Sequence, residues 1–207
     1  MPFTEFIKPS IVQSDGSRDD FANTIVPAIR SFIKSAPGFK LGTTGHSLFE
    51  NNVAVPESSF IPIVGIEWEN PDSFHSIVQS ERFPVFVEKI KPYLTAPASP
   101  ELYETDISPK DIFASPVIEI FRINVHEDSE KETAARTAWE ALAKALKGTN
   151  ILSGVSVNLP EKLFLGLIGW SGIEQRNMAL DKVEHLKQAV DSLGDSQSFV
   201  AELNTVV

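Results

Sequence analysis

Ile118 to His126, IEIFRINVH, lies without a gap over Thr4 to Val12, TEFIKPSIV, and this match governs how the rest of the chain is read. Glu5 meets Glu119, and Lys8 meets Arg122. Apolar and β-branched residues dominate both segments, so each is expected to form a strand, with Pro9 placing the first near an edge or a bulge. The same succession follows each segment. After the first, SDGSRDD gives a turn and a helix start, and Phe21, Ile25, Ile29, Phe32 and Ile33 share a helical face that Pro37-Gly38 ends. After the second, Ser129-Glu-Lys-Glu132 reads as a capping box, Trp139, Leu142 and Leu146 share a face, and Gly148 closes the helix.

Phe60 to Trp68, FIPIVGIEW, and Leu163 to Trp170, LFLGLIGW, are apolar strands that end in tryptophan. Each follows a segment of strand character across a turn marked by Glu57-Ser58 or Pro160-Glu161. A second amphipathic helix comes next, through Phe83, Phe86, Val87 and Ile90 in one half and Val183, Leu186, Val190 and Leu193 in the other. Leu102-Tyr-Glu-Thr and Phe199-Val-Ala-Glu-Leu supply short fourth strands, so each half reads βαββαβ. The expected organisation is therefore α+β, with ferredoxin-like repeats at 1–105 and 117–207 and a Pro-containing connector that includes 106–116. A four-stranded sheet with both helices on one face leaves the other face bare. Two repeats packed sheet to sheet within one chain, as a pseudo-dimeric α/β barrel, would cover both. Self-association through outer helices or edge strands, giving a homodimer of such chains, is compatible with this.

Composition limits the partners. The 207 residues are 42% hydrophobic and 22% charged, which suits a folded globular chain. With 28 acidic and 18 basic residues the net charge is -10, which repels phosphate backbones, so nucleic acid is not expected as a partner. No run approaches the ~18 apolar residues of a membrane span, and MPFTEFIKPS lacks a signal core, so a cytoplasmic protein with no membrane partner is expected. The absence of cysteine excludes disulfides, thiolate nucleophiles, iron-sulfur clusters and cysteine-bound zinc. Four histidines without paired ligand spacing argue against a metal site, and no nucleotide-binding glycine pattern occurs, so no cofactor is expected.

The pattern resembles the dimeric α/β-barrel superfamily, in particular the tandem-repeat, fungal-type members of the antibiotic-biosynthesis-monooxygenase (ABM) group, over nearly the whole chain. The most specific stretch is Gly65-Ile-Glu-Trp68-Glu-Asn-Pro-Asp-Ser-Phe-His75 followed by Gln79-Ser-Glu-Arg-Phe83. The second half answers with Trp170-Ser-Gly-Ile-Glu and Val183-Glu-His185. The resemblance implies cofactor-independent oxygenation of an aromatic or polyketide-like molecule in secondary metabolism, with cyclisation or decarboxylation as related activities. It also implies a minor haem-binding or haem-degrading reading, for which Asn124, Trp170 and His185 are the analogues of the residues such relatives use.

Several side chains can carry such chemistry. Phe6, Lys8 and Ser10 share one strand face, as do Ile120, Arg122, Asn124 and His126. If that face lines the space between the sheets, Arg122 can hold an anionic or enolate oxygen and Asn124 can donate a hydrogen bond. The plainer reading puts Lys8 and Arg122 at strand ends with their heads in solvent. His46, in Gly-Thr-Thr-Gly-His, is the best single proton acceptor by residue type, although it suits a surface or core position equally well. Trp68, His75, Trp170 and Lys8 are candidate substrate contacts. The tryptophans also suit core positions, and His75 and His185 suit solvated helix faces.

Three functions compete: an enzyme acting on an apolar or aromatic small molecule in the barrel cavity, a non-catalytic ligand-binding or stress-responsive protein using the same cavity, and an assembly module with a filled interior. An open space lined by His46, Arg122 or Asn124 would favour the first. A closed apolar interior, packed by Phe6, Phe60 and Phe164, would exclude it.

Overall fold

The computed structural model describes residues 1–125, 129–193 and 195–205. The first half contains β1 (Phe3–Ile7), β2 (Phe39–Glu50), the two-residue β3 (Val53–Ala54), β4 (Pro62–Trp68) and β5 (Glu101–Thr105). The second contains β6 (Val117–Asn124), β7 (Asn150–Ser156), β8 (Leu163–Trp170) and β9 (Asp195–Thr205). Strands run β2-β4-β1-β5 and then β7-β8-β6-β9, which is the same order in both sets of four. Two seams join the sets. β5 pairs with β7 from Tyr103↔Ser156 to Thr105↔Gly154, and β2 pairs with β9 from Thr43↔Thr205 to Glu50↔Phe199. The bare faces therefore meet as expected, and edge-to-edge hydrogen bonding also seals the eight long strands into one closed barrel within the chain. That closure removes the open edges that would otherwise invite intermolecular pairing.

Side-chain alternation divides the apolar residues into three layers. Along β6, Ile118 and Ile120 point into the lumen, while Phe121 and Ile123 point outward under the helices. Along β8, Leu163, Leu165 and Leu167 point in, while Phe164, Ile168 and Trp170 point out. Outside the first half, α1 (Ser17–Asp20) passes through a π-helical turn, Phe21–Ile25, into α2 (Val26–Ile33). Pro27 has no N–H for the regular ladder at this point, which accounts for the irregular turn. With α3 (Pro71–Val78) and α4 (Arg82–Ile90), this helix buries Phe21, Ile25, Ile29, Phe32, Phe74 and Ile77 on the sheet.

The connector between the halves does more than span them. Its short helix α5 (Lys110–Phe113) inserts Ile112 and Phe113 into the barrel mouth, where both are buried. The Phe113 ring lies on the inner face of Gly65, and a Cβ there would come within 2.6 Å of Phe113 Cζ. Only a residue without a side chain lets the ring seat so deeply.

On the second half, α6 (Ser129–Ala145), α7 (Ile173–Asp181) and α8 (Glu184–Asp191) form the outer layer. Trp139 lies edge-on to Phe121 and Phe164 at 5.5 and 6.1 Å, so it packs on the back of the sheet as its helical face requires. The Glu132 carboxylate, expected in a capping box, bonds Arg136 and Lys162.

Candidate functional site

Among the described residues, the core of the lumen is packed where a site between the sheets would need an open cavity. Ile63, Tyr103, Ile120, Leu152, Leu163, Leu165 and Leu167 are wholly inaccessible to water, which leaves no solvent-sized space beside them. Phe6 packs into this core as expected, whereas Phe60 and Phe164 point outward into the two helix-covered layers.

Of the residues expected to converge on the lumen, Arg122 enters it and meets a partner. Its Nε donates to Glu101 Oε1 at 2.8 Å and Oε2 at 3.1 Å, and the Tyr103 hydroxyl donates to Glu101 Oε2 at 2.5 Å. β5 and β6 are not neighbours in the ring, so this bridge crosses the lumen and joins the two halves. Burial works against the Arg122 charge, and the Glu101 hydrogen bonds together with the negative potential of Glu101, Tyr103 and Glu161 outweigh it. Burial and the adjacent Glu101 push the Tyr103 hydroxyl well above the usual phenol range. Lys8, at the same end, pairs with Glu50 at 3.0 Å and lies over the Phe199 ring at 4.3 Å. Asn124 shares the strand face of Arg122. These groups form a polar stopper in which the guanidinium is bound to the Glu101 carboxylate.

His46 lies on the opposite face. Its ring is 5.6 Å from Phe60 in the outer layer, and it pairs across the seam with Glu202. Burial and the nearby Arg18 lower its pKa, and Glu202 opposes them. It therefore does not meet Arg122 or Asn124. His75 and His185 are exposed on α3 and α8, and His126 lies outside the described residues. Asn124 and Trp170 also fail to converge. Asn124 is opposite Leu163 and Trp170 is opposite Val117 at the other end of the ladder, a separation of roughly 23 Å at ~3.3 Å per residue. The haem-type arrangement is thus not assembled in this half.

Trp68 and Trp170 are buried on the outer faces, and each brings an unanticipated carboxylate into view. Glu5 stands opposite Ile66 while Phe3 stands opposite Trp68; Glu119 stands opposite Ile168 while Val117 stands opposite Trp170. The two Glu–Trp pairs thus share one register. In the first half, Trp68 Nε1 donates to Glu5 Oε2 at 2.6 Å, and among the described residues no cation reaches this carboxylate. Burial pushes Glu5 up to about 7, against the pull of the indole hydrogen bond. In the second half, Arg176 from α7 donates to Glu119 through Nε at 3.1 Å and Nη2 at 2.6 Å. Burial raises Glu119 too, outweighing the opposition of Arg176 and Lys187, and among the described residues Trp170 Nε1 is left buried without an acceptor. The usable sequence signal was a glutamate within a strand of apolar and β-branched residues, two positions out of step with a tryptophan.

A cleft of about 530 Å³ lies at the mouth end of the first sheet, lined by Lys40, Leu41, Glu67, Trp68 and Lys110 among others. Its lining includes the buried Trp68 but not Glu5. A second cleft of about 670 Å³ runs along α7 past Gly172, Met178 and Lys182 without touching Trp170. Among the described residues, no group of three histidine, aspartate or glutamate side chains is placed to hold a metal ion, and no helix is long and apolar enough to cross a membrane.

No family model matches the sequence, and no curated protein matches it significantly. Solved structures do resemble it. An anthrone oxidase-like protein superposes with a TM-score of 0.62 at 12% identity, over 99% of this chain and 93% of its own. A protein of Lactobacillus acidophilus NCFM assigned as a monooxygenase gives 0.57 at 12%, over 100% of this chain and 94% of its own. A chlorite dismutase variant of Candidatus Nitrospira defluvii gives 0.55 at 11%, over 99% of this chain and 92% of its own. At such identities the likeness concerns architecture, and the chain has the closed α/β-barrel fold of these proteins.

Proposed function

We propose that the chain is a cofactor-independent monooxygenase, or a related cyclase or decarboxylase, acting on an aromatic or polyketide-like small molecule beside Glu5 and Trp68 instead of in the barrel lumen. The observation that carries this reading is a buried carboxylate that, among the described residues, is held by one indole and no cation, with an affinity for protons near neutrality. A base so tuned can take a proton from a weakly acidic carbon at working pH. The similarity to an anthrone oxidase-like protein supports an anthrone as the probe. Glu5 would remove a methylene proton, and the enolate would give its electrons to dioxygen. One oxygen atom would end in the quinone carbonyl and the other in water, so the substrate itself is the reductant. In this reading, residues 1–105 and 117–207 are tandem repeats, and the first carries the chemistry.

The filled lumen favours a second reading, a non-catalytic small-molecule-binding protein in which the barrel serves as a rigid core. Oxygen uptake with anthrone separates the two. The enzyme reading expects anthraquinone formation that falls by on the order of 100-fold or more in Glu5→Gln, with little change in Arg122→Met. Turnover that survives Glu5→Gln would rule this base out.

A further inference from the structure

We propose that the chain carries one live carboxylate–tryptophan pair and one locked copy, and that Arg176 is the residue that locks it. The inference rests on reading Glu5–Trp68 as the reacting pair. Both glutamates occupy the same register against their tryptophans, so an unmodified second half would present Trp170 Nε1 to Glu119 as Trp68 presents its own to Glu5. The difference lies six residues beyond each tryptophan. There the first half has Phe74, a buried ring edge-on to Trp68 with centroids 6.5 Å apart, and the second has Arg176. The Arg176 fork takes both carboxylate oxygens of Glu119, and the indole donor is stranded. Lys187 and Asp191, paired with each other at 2.5 Å on α8, also act on Glu119. Among the described residues, Glu5 meets no comparable set.

A carboxylate held at both oxygens by a guanidinium fork cannot turn toward a substrate or toward the indole. Arg176 thereby limits a two-fold barrel to one reacting centre. It acts through Glu119, so it is a positioning residue whose effect is negative.

The indole Nε1–H signals of the three tryptophans report each pair without a substrate. In the wild type, the Trp68 signal should titrate with a midpoint near 7 and the Trp170 signal should stay flat. Replacing Arg176 by the matching first-half residue, Arg176→Phe, or by the linear Arg176→Met in case the ring does not pack, should move the Trp170 signal downfield as it gains Glu119. That signal should then begin to titrate. A Trp170 signal that already titrates in the wild type, or that stays unmoved in a folded Arg176 variant, overturns the lock. With anthrone, Glu119→Gln should keep wild-type turnover within twofold while Glu5→Gln loses it; equal losses from the two would mean two live sites and also overturn it. A wild type that turns over no anthrone overturns the functional reading alone, since the indole shifts decide the lock independently.

Discussion

Replacing Glu5 by glutamine should flatten one segment of the stability–pH profile. The folded chain holds the Glu5 proton far more tightly than the unfolded chain, with the affinity raised from 4.5 to about 7 by burial. Stability from this group is therefore complete below about pH 4.5 and is lost as pH rises through about 7, the reverse of a carboxylate in an ion pair. At ~1.4 kcal/mol per unit, the ceiling is about 3 kcal/mol, and any water that enters beside the carboxylate reduces it. In a chain of this size about 3 kcal/mol corresponds to roughly 6–12 °C in Tm. Urea denaturation of wild type and Glu5→Gln at pH 5, 6, 7 and 8.5 isolates the effect, because every other titrating group is common to both. The difference between the two proteins should widen by about 2–3 kcal/mol in the glutamine variant's favour from pH 5 to 8.5. Parallel profiles would mean that Glu5 ionises freely where it stands, and the argument from its burial would fail.

Other perturbations probe the surrounding structure. Trp68→Phe removes the donor that favours ionised Glu5, so its midpoint should rise above about 7, by on the order of one unit, in a carboxyl-edited NMR titration. Phe113→Ala empties the barrel mouth and should cost about 3–5 kcal/mol in urea, whereas Gly65→Ala should cost about 1–3 kcal/mol by pushing the ring outward. Arg122→Met strands Glu101 in the partly buried stopper and should cost about 2 kcal/mol, with Glu101→Gln, Arg122→Met together costing less than the sum of the singles.

The strand and helix order was readable because two kinds of local pattern agreed. The continuous apolar runs FIPIVGIEW and LFLGLIGW, and the helical spacing of Phe21, Ile25, Ile29 and Phe32, specify elements from neighbouring residues alone. Barrel closure was partly readable, since a bare sheet face needs cover whatever supplies it. What lay hidden depends on contacts between distant residues. Arg122 on its strand looks like a free cation, and only the fold brings Glu101 across the lumen to neutralise it. His46 has the right chemistry for a base, but its face is fixed by the β2 register against β4 and β9, which the sequence does not state. The connector's Ile112 and Phe113 look like an ordinary linker until Gly65 is seen beneath the ring. Glu5 was visible as the counterpart of Glu119, yet its burial and its indole partner arise from pairing with a strand some sixty positions away.

The location of the site is the claim on which the rest depends, and a crystal structure of Glu5→Gln soaked with anthrone under anaerobic conditions tests it most directly. The expected result is one ring system per chain, lying between the first sheet and its helices with its reacting carbon against the residue-5 amide and the Trp68 indole. Anthrone in the barrel lumen, or against Glu119 and Trp170, would contradict it.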